Sequence, residues 1–203
     1  VTLYCATTNP GKLREFRLAA ERLGRGHFEI ETLPELRSIQ PVEETGRTFE
    51  ENAVLKALYY GAHAEGLLFA DDSGLEVTAL ANAPGVESAR FAGPGATDEA
   101  NNRLLLEKLR GVHARAARFV CVIALAEHGR LVRTFRGEVD GVILDEPRGP
   151  NGFGYDPLFF YAPFGHSFGQ ISAERKLLVS HRGRALAAMM EWLAARSIDG
   201  KNE

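Results

Sequence analysis

Two runs, "ARFVCVIALAE" and "RLVRTFRGEVDGVILD", read as strands over 117–127 and 130–145, constrain the fold more than any other part of the chain. Only His128 and Gly129 separate them, so the pair reads as a long hairpin closed by a tight turn. A hairpin of this length commits the chain to a sheet, and the helical patterns on either side supply the cover for it. Further strands are predicted at 1–6, 28–33, 67–71 and 75–80, and helices at 11–23, 48–64, 97–110 and 181–196. Thr48 with Glu51 is a capping-box signature for the second helix, and Thr97 followed by Asp98 and Glu99 opens the third. In the last helix Leu186, Met189, Met190 and Leu193 recur at helical spacing, which is a core stripe. The sum is an α/β or α+β domain with a mixed sheet, in one or two lobes. The chain has 203 residues, with no internal repeat and no low-complexity linker, so it reads as a single domain over 1–203.

Bulk charge narrows the partners. The net charge is −3, which argues against a nucleic-acid backbone or an anionic membrane as the main partner and leaves room for a small anion held by local cations. No apolar run approaches the roughly 20 residues of a membrane span, and no basic segment followed by an apolar one marks a signal peptide. A cytoplasmic protein is therefore expected. Cys5 and Cys121 both lie in apolar β-like runs and read as buried thiols. Without paired cysteines, six scattered histidines make no zinc pattern.

Four stretches carry chemical residue types. In "ATTNPGKLREF" a strand feeds a helix through Asn9, Pro10 and Gly11, which predicts backbone N–H groups and a positive dipole end aimed at one anion, with Lys12 adding an ammonium. It is not a Walker loop: Ala6 stands where that motif needs Gly, and Leu13 where it needs Ser or Thr. "FADDSG" places Asp71 and Asp72 at a predicted strand end before a turn, on opposite faces, so that one of them serves a given site. The alternative is a solvated turn. Upstream, Glu43 and Glu44 occupy a loop before the second helix, where Asn52 and Lys56 share a face; Lys56 either snorkels or meets phosphate oxygens. "GPNGFGYDPLFF" sets Phe153 and Tyr155 among glycines, suited either to stacking on a flat ligand or to folding into the core. In "KLLVSHRGRAL", Ser180 reads as an N-cap, yet His181 and Arg182 put cations in the first turn against the helix dipole. A bound anion or carbonyl is expected to compensate.

In their order and spacing, "TTNPGK", "EETGRTFEENAVLKA", "ADDSGLEV", "APGVESARFAG", "GFGYDPLFF" and "KLLVSHRGRAL" resemble the inosine/xanthosine triphosphate pyrophosphatase family over nearly the whole chain, from residue 3 to about 195. Thr8 stands where family members often carry Gly. The resemblance implies a two-lobed α/β domain with a long mixed β-sheet flanked by helices, a central substrate cleft and a homodimer. It implies Mg²⁺-dependent hydrolysis of a non-standard purine nucleoside triphosphate to monophosphate and pyrophosphate, removing it from the nucleotide pool. Carried onto this chain, Asp72 is the implied general base, and Asp72 with Glu43 or Glu44 the implied metal ligands. Thr7, Thr8, Asn9, Pro10, Gly11 and Lys12 are implied to hold the triphosphate, whose charge Lys56 can also offset. Ser73, Phe153, Gly154, Tyr155, Asp156, Lys176, His181 and Arg182 contact the substrate. A pyrimidine-nucleotide hydrolase, a nucleotide sensor without hydrolysis and a plain interaction protein are the other readings; the "SHR" and "FGYD" segments weigh for purine.

Overall fold

In the computed structural model, which describes residues 1–24 and 27–199, the hairpin lies inside a seven-stranded sheet. The strands are β1 (Thr2–Cys5), β2 (Glu29–Thr32), β3 (Leu67–Val77), β4 (Ala116–Glu127), β5 (Arg130–Ile143), β6 (Phe159–Tyr161) and β7 (His166–Ser167). Their order is β2-β1-β3-β4-β5-β6-β7; β1 runs parallel to β2 and β3, and every later pairing is antiparallel. The helices are α1 (Pro10–Leu23), α2 (Phe49–Gly61), α3 (Asp98–Lys108), α4 (Ala173–Val179) and α5 (His181–Asp199). The β4–β5 turn has positive φ at both His128 and Gly129 (48° and 72°), the twist that a two-residue hairpin needs.

The apolar run of β4 is buried on both faces because helices cover both. Cys121, Ile123 and Leu125 pack with Phe16 of α1 and Leu186, Met189 and Met190 of α5. Val120, Val122, Ala124 and Ala126 meet Phe49, Ala53 and Ala57 of α2, and the two alanines let the helix lie close. Farther along the same strands a second cluster forms, with Leu75 and Val77 of β3, Phe119 of β4, Val139 of β5, Leu105 of α3 and Phe159 and Phe168. The central strands thus pass from a region with one packing cluster on each face into a further cluster, and the polar segment Asp71–Ser73 falls where the first region gives way to the second.

Three expectations are corrected. The strands predicted at 67–71 and 75–80 are one, β3, with 78–80 a 3₁₀ turn; Asp71 and Asp72 sit in mid-strand, paired with Ile123 and Val122 of β4. Gly74 is there for close approach, not for a turn: a Cβ on it would lie 2.3 Å from Ser88 Oγ and 2.5 Å from the Gly85 carbonyl oxygen. α4, β6 and β7 are short elements that the periodicity did not separate from loop. The capping box of α2 is formed: Thr48 Oγ1 accepts from Glu51 N, and Glu51 Oε2 from Thr48 N. Cys5 and Cys121 are buried free thiols, and burial pushes both up to about 12.

Candidate active site

β3 presents its two adjacent carboxylates to opposite sides. On the α2 side, Asp72 Oδ1 accepts from Lys56 Nζ at 3.0 Å and Asp72 Oδ2 from Asn52 Nδ2 at 3.3 Å. The same ammonium donates to Glu44 Oε1 at 3.1 Å. Lys56 and Asn52 reach this point because they share the buried face of α2 with Phe49 and Tyr60. Burial lifts the Asp72 carboxyl above the ordinary carboxylate range, outweighing the attraction of Lys56. The ammonium is itself buried, yet the surrounding carboxylates, Asp72 foremost, hold it above its usual range.

The other face is an ionic lattice. Asp71 Oδ2 lies 2.9 Å from Lys12 Nζ and accepts from Ser73 Oγ at 3.1 Å. Arg182 Nη2 donates to Ser73 Oγ at 2.7 Å, and Nη1 to Glu15. Lys176 bridges Glu15 and Asp156. Asp71 is fully buried, but Lys12 and then Arg182 outweigh that burial and bring its carboxyl down to about 2.

Between these groups lies a cavity of about 180 Å³, lined by Lys12, Asp72 and Lys56 together with Phe153, Lys176 and His181. The Phe153 ring has Lys176 Nζ 4.9 Å and Arg182 Cζ 5.5 Å from its centroid. It also rests on the start of α1, where a Cβ on Gly11 would come within 2.7 Å of the ring. Gly154 is held from both sides by α3: its N–H donates to Asp98 Oδ2 at 2.7 Å, and its carbonyl accepts from Asn102 Nδ2 at 3.0 Å. A larger groove of about 1050 Å³ opens between α3 and the 145–157 segment; it shares Asp98, Phe153 and Gly154 with the cavity but none of Lys12, Lys56 or Asp72.

Several sequence expectations change here. The backbone donors at the start of α1 are not free: Asn9 Oδ1 accepts from Gly11 N (2.8 Å) and Lys12 N (3.0 Å), and Pro10 has none to give. Asn9 is the N-cap, so Lys12 rather than the helix end is the anion-facing charge. His181 is not a cation. Burial, with Arg182 and Lys176 nearby, pushes its imidazole well below the usual range; the ring stacks on Phe119 at 4.6 Å, and its Nδ1 has no hydrogen-bond partner. Ser180 does cap α5, its Oγ accepting from Gly183 N at 3.1 Å, but the Arg182 charge is met inside the protein by Glu15 and Asp71. Both aromatics of the glycine loop line the cavity, but differently: Tyr155 is also packed into the core, its hydroxyl donating to the Ser88 carbonyl at 2.7 Å, while Phe153 lies outside that core cluster. Asp156 is 1% exposed and ties the loop, accepting from Phe153 N at 2.9 Å. Glu43 is exposed and is not part of the cavity wall that includes Glu44. Thr7 and Thr8 line an adjoining cavity with Lys12 and Lys56, and with Pro10 they border a hollow beside residues 32–37. Glu15 was not anticipated: one turn beyond Lys12 in "GKLREF", it is an acid among cations that only the folded chain assembles.

A helix-covered mixed sheet with a lysine-and-carboxylate cleft at the meeting of two packing regions defines an α/β protein built to hold a small charged ligand. The chain belongs to the Ham1 family, whose sequence model matches residues 3–192. It is 49% identical over 199 residues to a dITP/XTP pyrophosphatase of Acidobacterium capsulatum, covering 94% of this chain and 97% of that one. The solved Ham1 protein of Staphylococcus aureus is 39% identical and superposes with a TM-score of 0.84, over 97% of this chain and all of its own. A nucleoside-triphosphatase / dITP/XTP pyrophosphatase of Mycobacterium abscessus superposes at 0.72 with 40% identity, over 95% of this chain and all of its own.

Proposed function

We propose that this protein is a nucleoside triphosphate pyrophosphatase that hydrolyses inosine, deoxyinosine and xanthosine triphosphates to the monophosphate and pyrophosphate. The observation that carries the reading is Asp72: a buried carboxylate with a raised proton affinity, beside Lys56 and Glu44 in the cleft of a chain about half identical to dITP/XTP pyrophosphatases. In this reading Asp72 takes the proton of a water whose oxygen attacks the α-phosphorus. The α–β anhydride bond breaks, and its electron pair leaves on pyrophosphate. Lys12 and Lys56 offset the triphosphate charge, Phe153 stacks on the purine, and Arg182 with His181 reads the carbonyl at C6. Ser73, Asp156 and Lys176 hold that end of the cleft.

The donor set suits Mg²⁺. Asp72 and Glu44 already converge on one positive charge at 3.0 and 3.1 Å, and a hard cation needs only one or two carboxylates besides phosphate oxygens and water. No group of three or more His, Cys, Asp or Glu side chains suited to a metal occurs among the described residues, so substrate would complete the shell. When bound, the ion would polarise the phosphoryl oxygens and offset their charge. A single domain over 1–203, a homodimer, a cytoplasmic location and no nucleic-acid partner belong to the same proposal; residues 25–26 and 200–203 lie outside the described ones. No described helix is long and apolar enough to cross a membrane. The test is a panel of nucleoside triphosphates with Mg²⁺, reading pyrophosphate and orthophosphate separately. Pyrophosphate from deoxyinosine triphosphate supports the reading; stoichiometric orthophosphate with a diphosphate product overturns it.

A further inference from the structure

A second cavity, of about 390 Å³, adjoins the first; Asn9, Lys12, Glu44 and Lys56 border both. Phe153, His181 and Arg182 line only the first, as does Asp72, which is hydrogen-bonded to Lys56 on the shared border. A nucleotide whose base meets Phe153 and whose α-phosphorus meets Asp72 must therefore send its outer phosphates into the second cavity. Three cations border that space: Lys12, Lys56 and Arg37. Lys12 is bound to Asp71 and Lys56 to Glu44 and Asp72, whereas Arg37, among the described residues, has no hydrogen bond or ion pair. Its side chain is exposed, but its base is fixed. Arg37 sits on the 3₁₀ turn Leu36–Ser38, where Leu36 is 8% exposed and packs with Leu33, Tyr60 and Leu68. The segment that follows is pinned to α2, Val42 N donating to Tyr60 Oη at 3.3 Å and Tyr59 Oη donating to the Gln40 carbonyl at 2.9 Å.

We propose that Arg37 binds the terminal phosphate of the substrate, and so the leaving pyrophosphate, making it the residue of this chain that favours triphosphates over shorter phosphate chains. The inference rests on the substrate class proposed above. A guanidinium presents paired donors to phosphate oxygens, and one with no carboxylate to surrender loses no ion pair on binding. The other two cations must share their charge with acids already in place.

The test compares the wild type with Arg37→Ala and Arg37→Lys. Pyrophosphate and deoxyinosine monophosphate are titrated calorimetrically, and deoxyinosine triphosphate turnover is measured alongside. Arg37→Ala is expected to weaken pyrophosphate binding about tenfold and raise KM for the triphosphate by a similar factor. Monophosphate affinity should be unchanged, and Arg37→Lys should recover part of the loss. Unchanged pyrophosphate binding, or an equal loss for the monophosphate, overturns the role of Arg37. Absence of triphosphate turnover in the wild type would instead defeat the proposed function, and the pyrophosphate titration would still read Arg37 directly.

Discussion

Asp71 and Asp72 are neighbours in one strand, equally hidden from solvent, and yet opposite in character. Asp71 is 4% exposed and Asp72 6%, so burial alone would raise both. Two cations close on Asp71 and bring it to about 2, while Asp72 shares the single ammonium of Lys56 with Glu44 and stays raised. The difference lies in what each face of β3 meets: α1 and α5 deliver Lys12 and Arg182 to one side, and α2 delivers Lys56 and Asn52 to the other. A carboxylate whose charge is fully matched serves as a counter-ion. One whose charge is undermatched retains the proton affinity that a base needs. The sequence puts the two side by side; the faces of the sheet assign them.

The sharpest way to break this comparison is Asp72→Asn. Turnover should fall about 10³-fold, within the range for a lost general base. Stability should stay within about 1 kcal/mol, because ionised Asp72 is an unfavourable buried charge and Lys56 keeps Glu44. Kinetics alongside thermal unfolding checks both halves, and a large loss of stability would make Asp72 structural. Asp71→Asn should do the converse: about 3 kcal/mol of unfolding free energy is lost, since half-buried Lys12 and buried Arg182 are left short of a partner. If Asp71→Asn proved stable but inactive, the roles would be reversed.

The same contrast appears in pH. Asp71 has a depressed affinity for protons when folded, so its contribution is present above the usual carboxylate value and is lost as pH falls toward about 2. Denaturation between pH 4 and 2 should therefore be steeper in the wild type than in Asp71→Asn (window of about two pH units set by the free and folded values). For Asp72 the sign is opposite. The acidic limb of kcat/KM, which reports the free enzyme, should lie above the pH at which an exposed aspartate titrates. An acidic limb at or below that value would remove the basis for Asp72 as the base. The smallest effect is expected at Lys12, whose charge is already half committed to Asp71. Lys12→Ala should weaken triphosphate binding about tenfold and leave nucleoside binding unchanged. Equal losses for both ligands would show that Lys12 supports the fold instead.

Much of this was legible in the sequence. Local signals sufficed for the β4–β5 hairpin, the capped starts of α2 and α3, and the core stripe of α5, because each depends on a few consecutive residues: a two-residue turn, a Thr with an acid one turn on, apolar side chains at helical spacing. The motif order pointed to the Ham1 family for a similar reason, since linear spacing preserves what the cleft requires. Local signals misled where a residue served something distant. Gly74 reads as a turn until Ser88 and Gly85 are seen lying against it, and the cations at the start of α5 look unmatched until Glu15 arrives from α1. No periodicity reports which carboxylate reaches which ammonium across a sheet. The sequence by itself therefore determined most of the long elements, the family and the supply of charged groups. Tertiary structure alone decided that Glu44 and not Glu43 faces Lys56, that His181 is neutral, and that Asp71 and Asp72 differ, because ionisation depends on burial and on charges within a few ångströms, and those distances exist only after the chain has folded.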